Sequence, residues 1–152
     1  MVNYYADNTR QHLRVWLKLL KTSSNVEAVL RERLRRECGT TLPRFDVMAA
    51  LDHHPDGLRM SDLSRYLKVS NGNTTGIVNR LVEEGLIERT QDSIDRRAHK
   101  VYLTPNGKKE FEHLAQLHAQ WIDDIMSPLS AEQSDTLISL LEKLNKFGVT
   151  PS

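Results

Sequence analysis

Three observations predict a mainly α-helical fold carrying one small β-hairpin. Long stretches toward either end of the chain, Thr9 to Cys38 and Pro105 to Phe147, place apolar residues at helical spacing. Between them, two short helical segments meet at a tight turn, Lys68-Val69. Directly afterwards, two short apolar runs enclose a polar, aspartate-rich loop.

The elements follow in order. Thr9 to Cys38 consists of good helix formers, with Leu13, Trp16, Leu17 and Leu20, then Val26, Val29, Leu30 and Leu34, as its apolar positions, and Gly39 ends it. Pro43 fits the first turn of a second helix that carries Phe45, Val47, Met48 and Leu51, closed by the turn chemistry of Pro55-Asp56-Gly57. Ser61 is expected to cap a third helix, Asp62 to Leu67, with Leu63 and Leu67 four residues apart on the core side. Ser70 is expected to cap a fourth, with Ile77, Val78, Leu81 and Val82 inward and Gly85 as terminator. Leu86 to Arg89 and His99 to Leu103 read as strands around the loop Thr90 to Ala98.

Thr104 caps a fifth helix and Pro105 opens it, with Phe111, Leu114, Ala115, His118, Trp121, Ile122 and Ile125 on one face. Ser127-Pro128 breaks that helix. Ser130 and Gln133 form a capping box for a last one carrying Leu137, Leu140, Leu141, Leu144 and Phe147. The fold class is therefore a winged helix-turn-helix at about 58–104, with N- and C-terminal dimerisation helices at about 9–38 and 108–147, in a single domain over 1–152. Dimerisation is expected because the terminal segments carry more apolar helix face than one small domain covers.

Size and composition agree with one globular domain: 152 residues, 39% hydrophobic, 27% charged. The single cysteine, Cys38, forms no internal disulfide and excludes metal frameworks built on paired cysteines. Met-Val-Asn-Tyr-Tyr-Ala-Asp has neither the basic start nor the apolar run of a secretory signal, and no stretch approaches the ~20 apolar residues of a membrane span. A cytoplasmic location without membrane partners is expected. Net charge is only +1, but it is segregated: Arg10 to Arg44 holds nine Lys or Arg against three Glu, whereas Pro105 to Ser152 holds four Lys against seven acids. Ser61 to Lys100, with seven bases and six acids, is nearly neutral, so placement rather than bulk charge decides any binding of nucleic acid.

The chemistry of duplex DNA recognition is concentrated in two places. A recognition helix presents short hydrogen-bonding side chains from its first turns to the major groove. Ser70, Asn71, Gly72, Asn73, Thr75 and Gly76 supply that surface, since Asn pairs with an adenine edge, Thr bonds a base or touches a thymine methyl, and Gly lets the backbone approach closely; Asn79 and Arg80 lie farther along, at phosphate height. Asp95, Arg96 and Arg97 stand at the tip of the wing, where an arginine enters the narrow minor groove and a carboxylate orients it. Each motif alone also suits a solvated polar turn. Their coupling, a helix-turn-helix followed at once by an arginine-tipped hairpin, is the specific signal.

Three runs carry a family resemblance: Leu63 to Ser70; Ile77-Val78-Asn79-Arg80-Leu81-Val82-Glu83-Glu84-Gly85-Leu86-Ile87-Glu88-Arg89; and Asp95-Arg96-Arg97 through Thr104-Pro105-Asn106-Gly107. With the order of the flanking helices, they make the chain resemble the MarR (multiple antibiotic resistance regulator) family of transcription factors. The resemblance implies a homodimer with interleaved terminal helices on a pseudo-palindromic double-stranded DNA operator, and repression relieved by a small ligand. It implies Arg97 as the minor-groove arginine and Asp95 as its partner. Many relatives place an arginine directly after the helix threonine, where this chain has Gly76, so readout shifts toward Asn71 and Asn73.

Leu42 to Met48 followed by Ser70-Asn71-Gly72-Asn73 resembles a narrower group that represses aromatic-acid catabolism genes, several members of which respond to hydroxycinnamoyl-CoA thioesters. Such an effector needs an aromatic pocket and cations for its phosphates. Trp16, Phe45, His118 and Trp121 are the aromatic candidates, and Arg14 and Lys18, with Arg31, Arg33, Arg35 and Arg36, the cationic ones. A small aromatic ligand or its CoA thioester is the expected effector, with no permanent cofactor. Core or dimer packing for the tryptophans and a solvated face for the arginines are the competing readings.

Other switches fit less well. Redox-sensing relatives carry their cysteine near the start of the first helix, whereas Cys38 lies near its end. His12, His53, His54, His99, His113 and His118 include no pair at the i, i+4 spacing of a helical metal site, so no metal is expected. No phosphate loop or nucleophile elbow is present, which argues against an enzyme. A protein-protein assembly module remains as the other class, but it has no need of a polar helix start coupled to an arginine-tipped wing.

Overall fold

The element order is α1 (Asp7–Cys38), α2 (Leu42–Asp52), β1 (Leu58–Arg59), α3 (Met60–Leu67), α4 (Asn71–Glu83), β2 (Ile87–Gln91), β3 (His99–Leu103), α5 (Pro105–Met126) and α6 (Ala131–Asn145). This is a computed structural model, which describes residues 6–67 and 71–146, without the side chains of residues 71 and 72. The strands form one antiparallel sheet in the order β1-β3-β2. A mainly α fold with a small wing is therefore what the chain adopts.

The chain divides into two compact units, Met1–His118 and Ala119–Ser152. In the first, α2 is the central element. Its side chains Phe45, Val47, Met48, Ala50 and Leu51 are all buried, and it packs against α1, α3, α4 and β3. Pro43 sits in the first turn as the sequence predicts, and Thr41 Oγ1 adds a cap by accepting from the Arg44 N–H at 3.3 Å, so the helix start is preorganised. Leu30 and Leu34 of α1, Leu63 of α3, Val78 and Leu81 of α4, Ile87 of β2 and Val101 of β3 complete this core together with Phe111 and Leu114. Removing any of the fully buried leucines would leave a cavity costing about 2–5 kcal/mol.

The sheet has one strand more than the sequence predicts. Leu58 pairs with Val101 and Arg59 with Lys100, while β2 takes the other side of β3 in a register running from Ile87 opposite Leu103 to Gln91 opposite His99. Two residues are too few to show a period of two, so β1 leaves no pattern in the sequence. It also changes the start of α3: the chain passes from Arg59 directly into helix at Met60, and Ser61 lies inside the first turn rather than before it. The turn Lys68-Val69 and the expected cap Ser70 lie outside the described residues.

The junction between wing and α5 is tightly tied. Thr104 donates from its backbone N–H to Leu86 O at 3.1 Å and from Oγ1 to Gly85 O at 2.6 Å, and Oγ1 accepts the Gly107 N–H at 3.0 Å. One threonine thus caps α5 and fastens it to the end of the turn that follows α4. In the second unit, Ser130 and Gln133 form the expected capping box, with Ser130 Oγ accepting from the Gln133 N–H at 3.2 Å and Gln133 Oε1 from the Ser130 N–H at 2.9 Å. Helix α6 buries none of its residues, and Ile138, Leu140 and Leu144 are more than half exposed. Phe147, expected on the same helix, lies outside the described residues. Among those residues no helix is long and apolar enough to cross a membrane.

Candidate nucleic-acid interface

Helix α4 sorts its residues onto two faces with a spacing of three and four. Thr74, Val78 and Leu81 are buried, whereas Asn73, Thr75, Gly76, Asn79 and Arg80 are exposed. The exposed set is the one expected to meet DNA, and the helix brings it onto one outward surface. Asn71 and Gly72 occupy the first positions of α4, and Ser70 precedes it outside the described residues. No atom lies within 4 Å of where a Cβ on Gly76 would stand, so packing does not require glycine there.

Two long-range contacts hold this helix. Arg89 of β2 donates from Nη2 to Asn79 Oδ1 at 2.7 Å, which fixes the orientation of the amide and leaves Nδ2 as its donor. Sequence reading did not single out Arg89, because its role depends on a neighbour on another element. At the end of α4, the Glu84 carboxylate takes both terminal nitrogens of Arg44 in a two-pronged bridge from α2. That guanidinium holds the Glu84 carboxyl below the usual carboxylate range. The recognition helix is thereby clamped at its middle by the sheet and at its end by α2.

The wing is ordered by its own acids. Asp95 Oδ1 accepts the backbone N–H of Arg97 at 3.0 Å, and Asp95 O accepts from the Ala98 N–H at 3.0 Å. The carboxylate therefore positions Arg97 through the backbone, leaving the exposed guanidinium facing solvent. Gln91 Nε2 donates to Arg96 O at 2.5 Å across the loop. Asp92, read in the sequence only as part of an acidic loop, is buried at 3% exposure. One of its oxygens accepts the Ile94 N–H at 2.9 Å and the other accepts from Arg59 Nε at 2.6 Å, so β1 is pinned to the base of the wing.

The Ile94 N–H and the Arg59 guanidinium hold the Asp92 carboxyl below its ordinary value. A depressed folded-state pKa contributes stability that is present above the unfolded value of about 4 and is lost as pH falls through the folded value. Asp92→Asn is expected to melt below the parent at neutral pH, with the gap closing as pH drops below about 4. A gap constant across that range, followed by circular dichroism, would contradict this role.

The expected effector residues are only partly brought together. Phe45 stacks on His118 with ring centroids 4.6 Å apart and lies 5.5 Å from Phe111. Burial pushes the His118 pKa down, favouring the neutral ring. Arg14, Trp16 and Lys18 are exposed on α1, Trp16 at 56%, and form no hydrogen bond, ion pair or ring contact among the described residues. Trp121 is buried and belongs to the second unit. A cleft of about 430 Å³ lies elsewhere, between the end of α1 and the recognition helix, lined by Arg31, Arg35, Thr40, Thr41, Pro43, Asn73 and Ile77. Arg35 there is paired with Glu32 at 2.7 Å. Cys38 is half-buried, and burial raises its pKa, with Glu37 and Glu110 adding to the shift, so thiolate is disfavoured. Among the described residues no three His, Cys, Asp or Glu side chains gather as a metal ion requires.

Comparison with known proteins places this geometry. The MarR family model matches residues 40–99, the stretch from α2 to the first residue of β3. BilQ, an HTH-type transcriptional regulator of Clostridium symbiosum, is 32% identical over 90 residues, which make up 59% of this chain and 62% of BilQ, so the chain spans less than two thirds of that relative. The crystal structure of a MarR family transcriptional regulator from Silicibacter pomeroyi is 30% identical with a TM-score of 0.79, over 93% of this chain and 98% of that one. A cysteine-to-serine variant of MarR from E. coli, in complex with operator DNA, is 25% identical with a TM-score of 0.75, over 91% of this chain and 99% of that one. A family match that takes in the helix-turn-helix and the wing loop, with a near full-length structural relative at 30% identity, makes this chain a member of the MarR family of transcriptional regulators.

Proposed function

We propose that the chain is a sequence-specific, DNA-binding transcriptional repressor. It acts as a homodimer and leaves a pseudo-palindromic operator when an aromatic acid or an aromatic acyl-CoA thioester, such as a hydroxycinnamoyl-CoA, binds. The observation that carries DNA binding is the common outward exposure of Asn73, Thr75, Gly76, Asn79 and Arg80 on α4 together with a wing whose turn is fixed by Asp92 and Asp95 and whose tip bears Arg96 and Arg97. Such an arrangement offers hydrogen-bonding side chains to a major groove and guanidinium groups to the flanking minor groove. The operator complex of the E. coli relative supports the same use of the fold.

Dimerisation is supported by the apolar side chains that the terminal helices leave in water. Leu13, Trp16, Leu17 and Leu20 on α1, and Ile138, Leu140 and Leu144 on α6, are each more than a third exposed. Contiguous apolar helix faces of this kind mark interaction surfaces. On this reading residues 1–152 act as one dimeric domain, with helices at about 9–38 and 108–147 forming the interface. An anionic effector is supported by the Arg31 and Arg35 rim of the cleft beside Asn73, while its aromatic part is carried by the sequence resemblance, since Phe45 and Phe111 pack in the core.

Sedimentation at micromolar concentration is expected to show a dimer, and the protein is expected to select a duplex from a random-sequence pool. Coumaroyl-CoA is then expected to release that duplex. A stable monomer overturns the dimer, failure to enrich any duplex overturns DNA binding, and release by free coumarate but not by the thioester overturns the CoA assignment.

A further inference from the structure

The wing carries an apolar contact as well as a cationic one. Ile94 is 89% exposed, the most exposed large hydrophobic side chain among the described residues. A floppy loop would explain such exposure, but the backbone here is held. The Ile94 N–H bonds Asp92 Oδ1 at 2.9 Å, the other Asp92 oxygen is taken by Arg59 at 2.6 Å, and the Asp92 N–H bonds Ala98 O at 2.9 Å. The turn is therefore built to hold this side chain outward.

The charges around it point the same way. Ile94 lies between two carboxylates: Asp92 is buried and neutralised by Arg59, while the exposed Asp95 turns one oxygen inward to the Arg97 N–H and keeps its charge. What the tip presents to a partner is thus Ile94 beside the two exposed guanidinium groups of Arg96 and Arg97, which outnumber the one exposed carboxylate. The walls of the minor groove are lined by deoxyribose C–H groups, an apolar surface between two rows of phosphates. Architectural proteins that bind the minor groove place apolar side chains in it, isoleucine among them, as wedges between base steps, so an aliphatic side chain is compatible with this groove.

We infer that Ile94 packs against deoxyribose in the minor groove while Arg96 and Arg97 flank it, which makes it a specificity-determining residue through its fit to groove width. The inference rests on the DNA-binding reading above. Burying most of one isoleucine is worth about fivefold to tenfold in affinity, and an uncharged side chain releases no counterions.

The test is fluorescence anisotropy of the full-length protein on the duplex it selects from a random pool, at several salt concentrations, with thermal melts alongside. Ile94→Ala is expected to weaken binding by about fivefold to tenfold per wing, hence about 25-fold to 100-fold for a dimer, with the salt dependence unchanged, Ile94→Val to retain most of the affinity, and neither to shift the melt. Arg97→Ala serves as the control that lowers the salt dependence. If Ile94→Ala binds like the parent while Arg97→Ala is impaired, the inference is overturned and the DNA reading stands. If neither variant is impaired, the wing assignment fails and the inference with it. A lowered melt for Ile94→Ala overturns it in favour of a packing role.

Discussion

Gly107→Ala is expected to lower stability by about 3 kcal/mol and the melting temperature by about 6–12 °C. A Cβ on Gly107 would stand 1.9 Å from Leu86 O and 2.8 Å from Leu86 C. Both are backbone atoms, so no rotamer change relieves the clash. Nor can the carbonyl retreat freely, because Leu86 O accepts the Thr104 N–H and the neighbouring Gly85 O accepts from Thr104 Oγ1. The same Thr104 Oγ1 caps α5 through the Gly107 N–H, so moving one group disturbs all three bonds. Gly76→Ala is the natural control: the site is helical with open space around it, and the substitution is expected to stabilise by about 0.5–1 kcal/mol. Thermal melts of the two variants in parallel read the difference. Equal melts would mean that the close approach to Leu86 is not a constraint on the fold.

Local pattern carried most of this architecture. Helix starts at Pro43, at Thr104 with Pro105 and at Ser130 with Gln133 were legible because a proline in the first turn, or a hydroxyl three residues before the N–H it caps, is a local signal; the Thr41 cap was not singled out. The two faces of α4 were legible because burial follows the helical period, which put Val78 and Leu81 inside and Asn73, Thr75 and Asn79 outside; that Thr74 is buried as well is seen only in the fold. What was not legible is what distant residues do to one another. Asp92 reads as one acid in a polar loop until Arg59, thirty-three residues earlier, is seen to neutralise it. Arg44 and Glu84 are forty residues apart, and Arg89 reaches Asn79 from another element. Strand β1, two residues long, carries no periodic signal at all.

The effector residues show the same boundary from the other side. Phe45 and His118 were proposed on aromatic character alone and do stack, whereas Trp16, proposed on the same grounds, stands in solvent. Amphipathic periodicity identifies an apolar face, but whether the same chain, a second copy or a ligand covers that face is decided by tertiary and quaternary contacts. Arg31 and Arg35 are legible as cations, but the cleft they rim exists only where the end of α1 meets α4.

Arg97→Ala is expected to weaken binding to the selected duplex by about tenfold per wing, hence about a hundredfold for a dimer, with the melt unchanged. The side chain is exposed, so its loss removes little that folding depends on. Its backbone, in contrast, is fixed by Asp95 Oδ1, so binding would have only the side chain left to order. Charge and shape are separable here. Arg97→Lys keeps the cation and is expected to preserve the salt dependence while recovering only part of the affinity, because an ammonium neither spreads nor dehydrates like a guanidinium in a narrow groove. Asp95→Ala should fall between parent and Arg97→Ala, since it removes the anchor and leaves the cation. Arg97→Ala is also expected to flatten the slope of log affinity against log salt by about one per wing. Unchanged affinity and slope across salt would remove the wing from the interface and leave recognition to α4 alone.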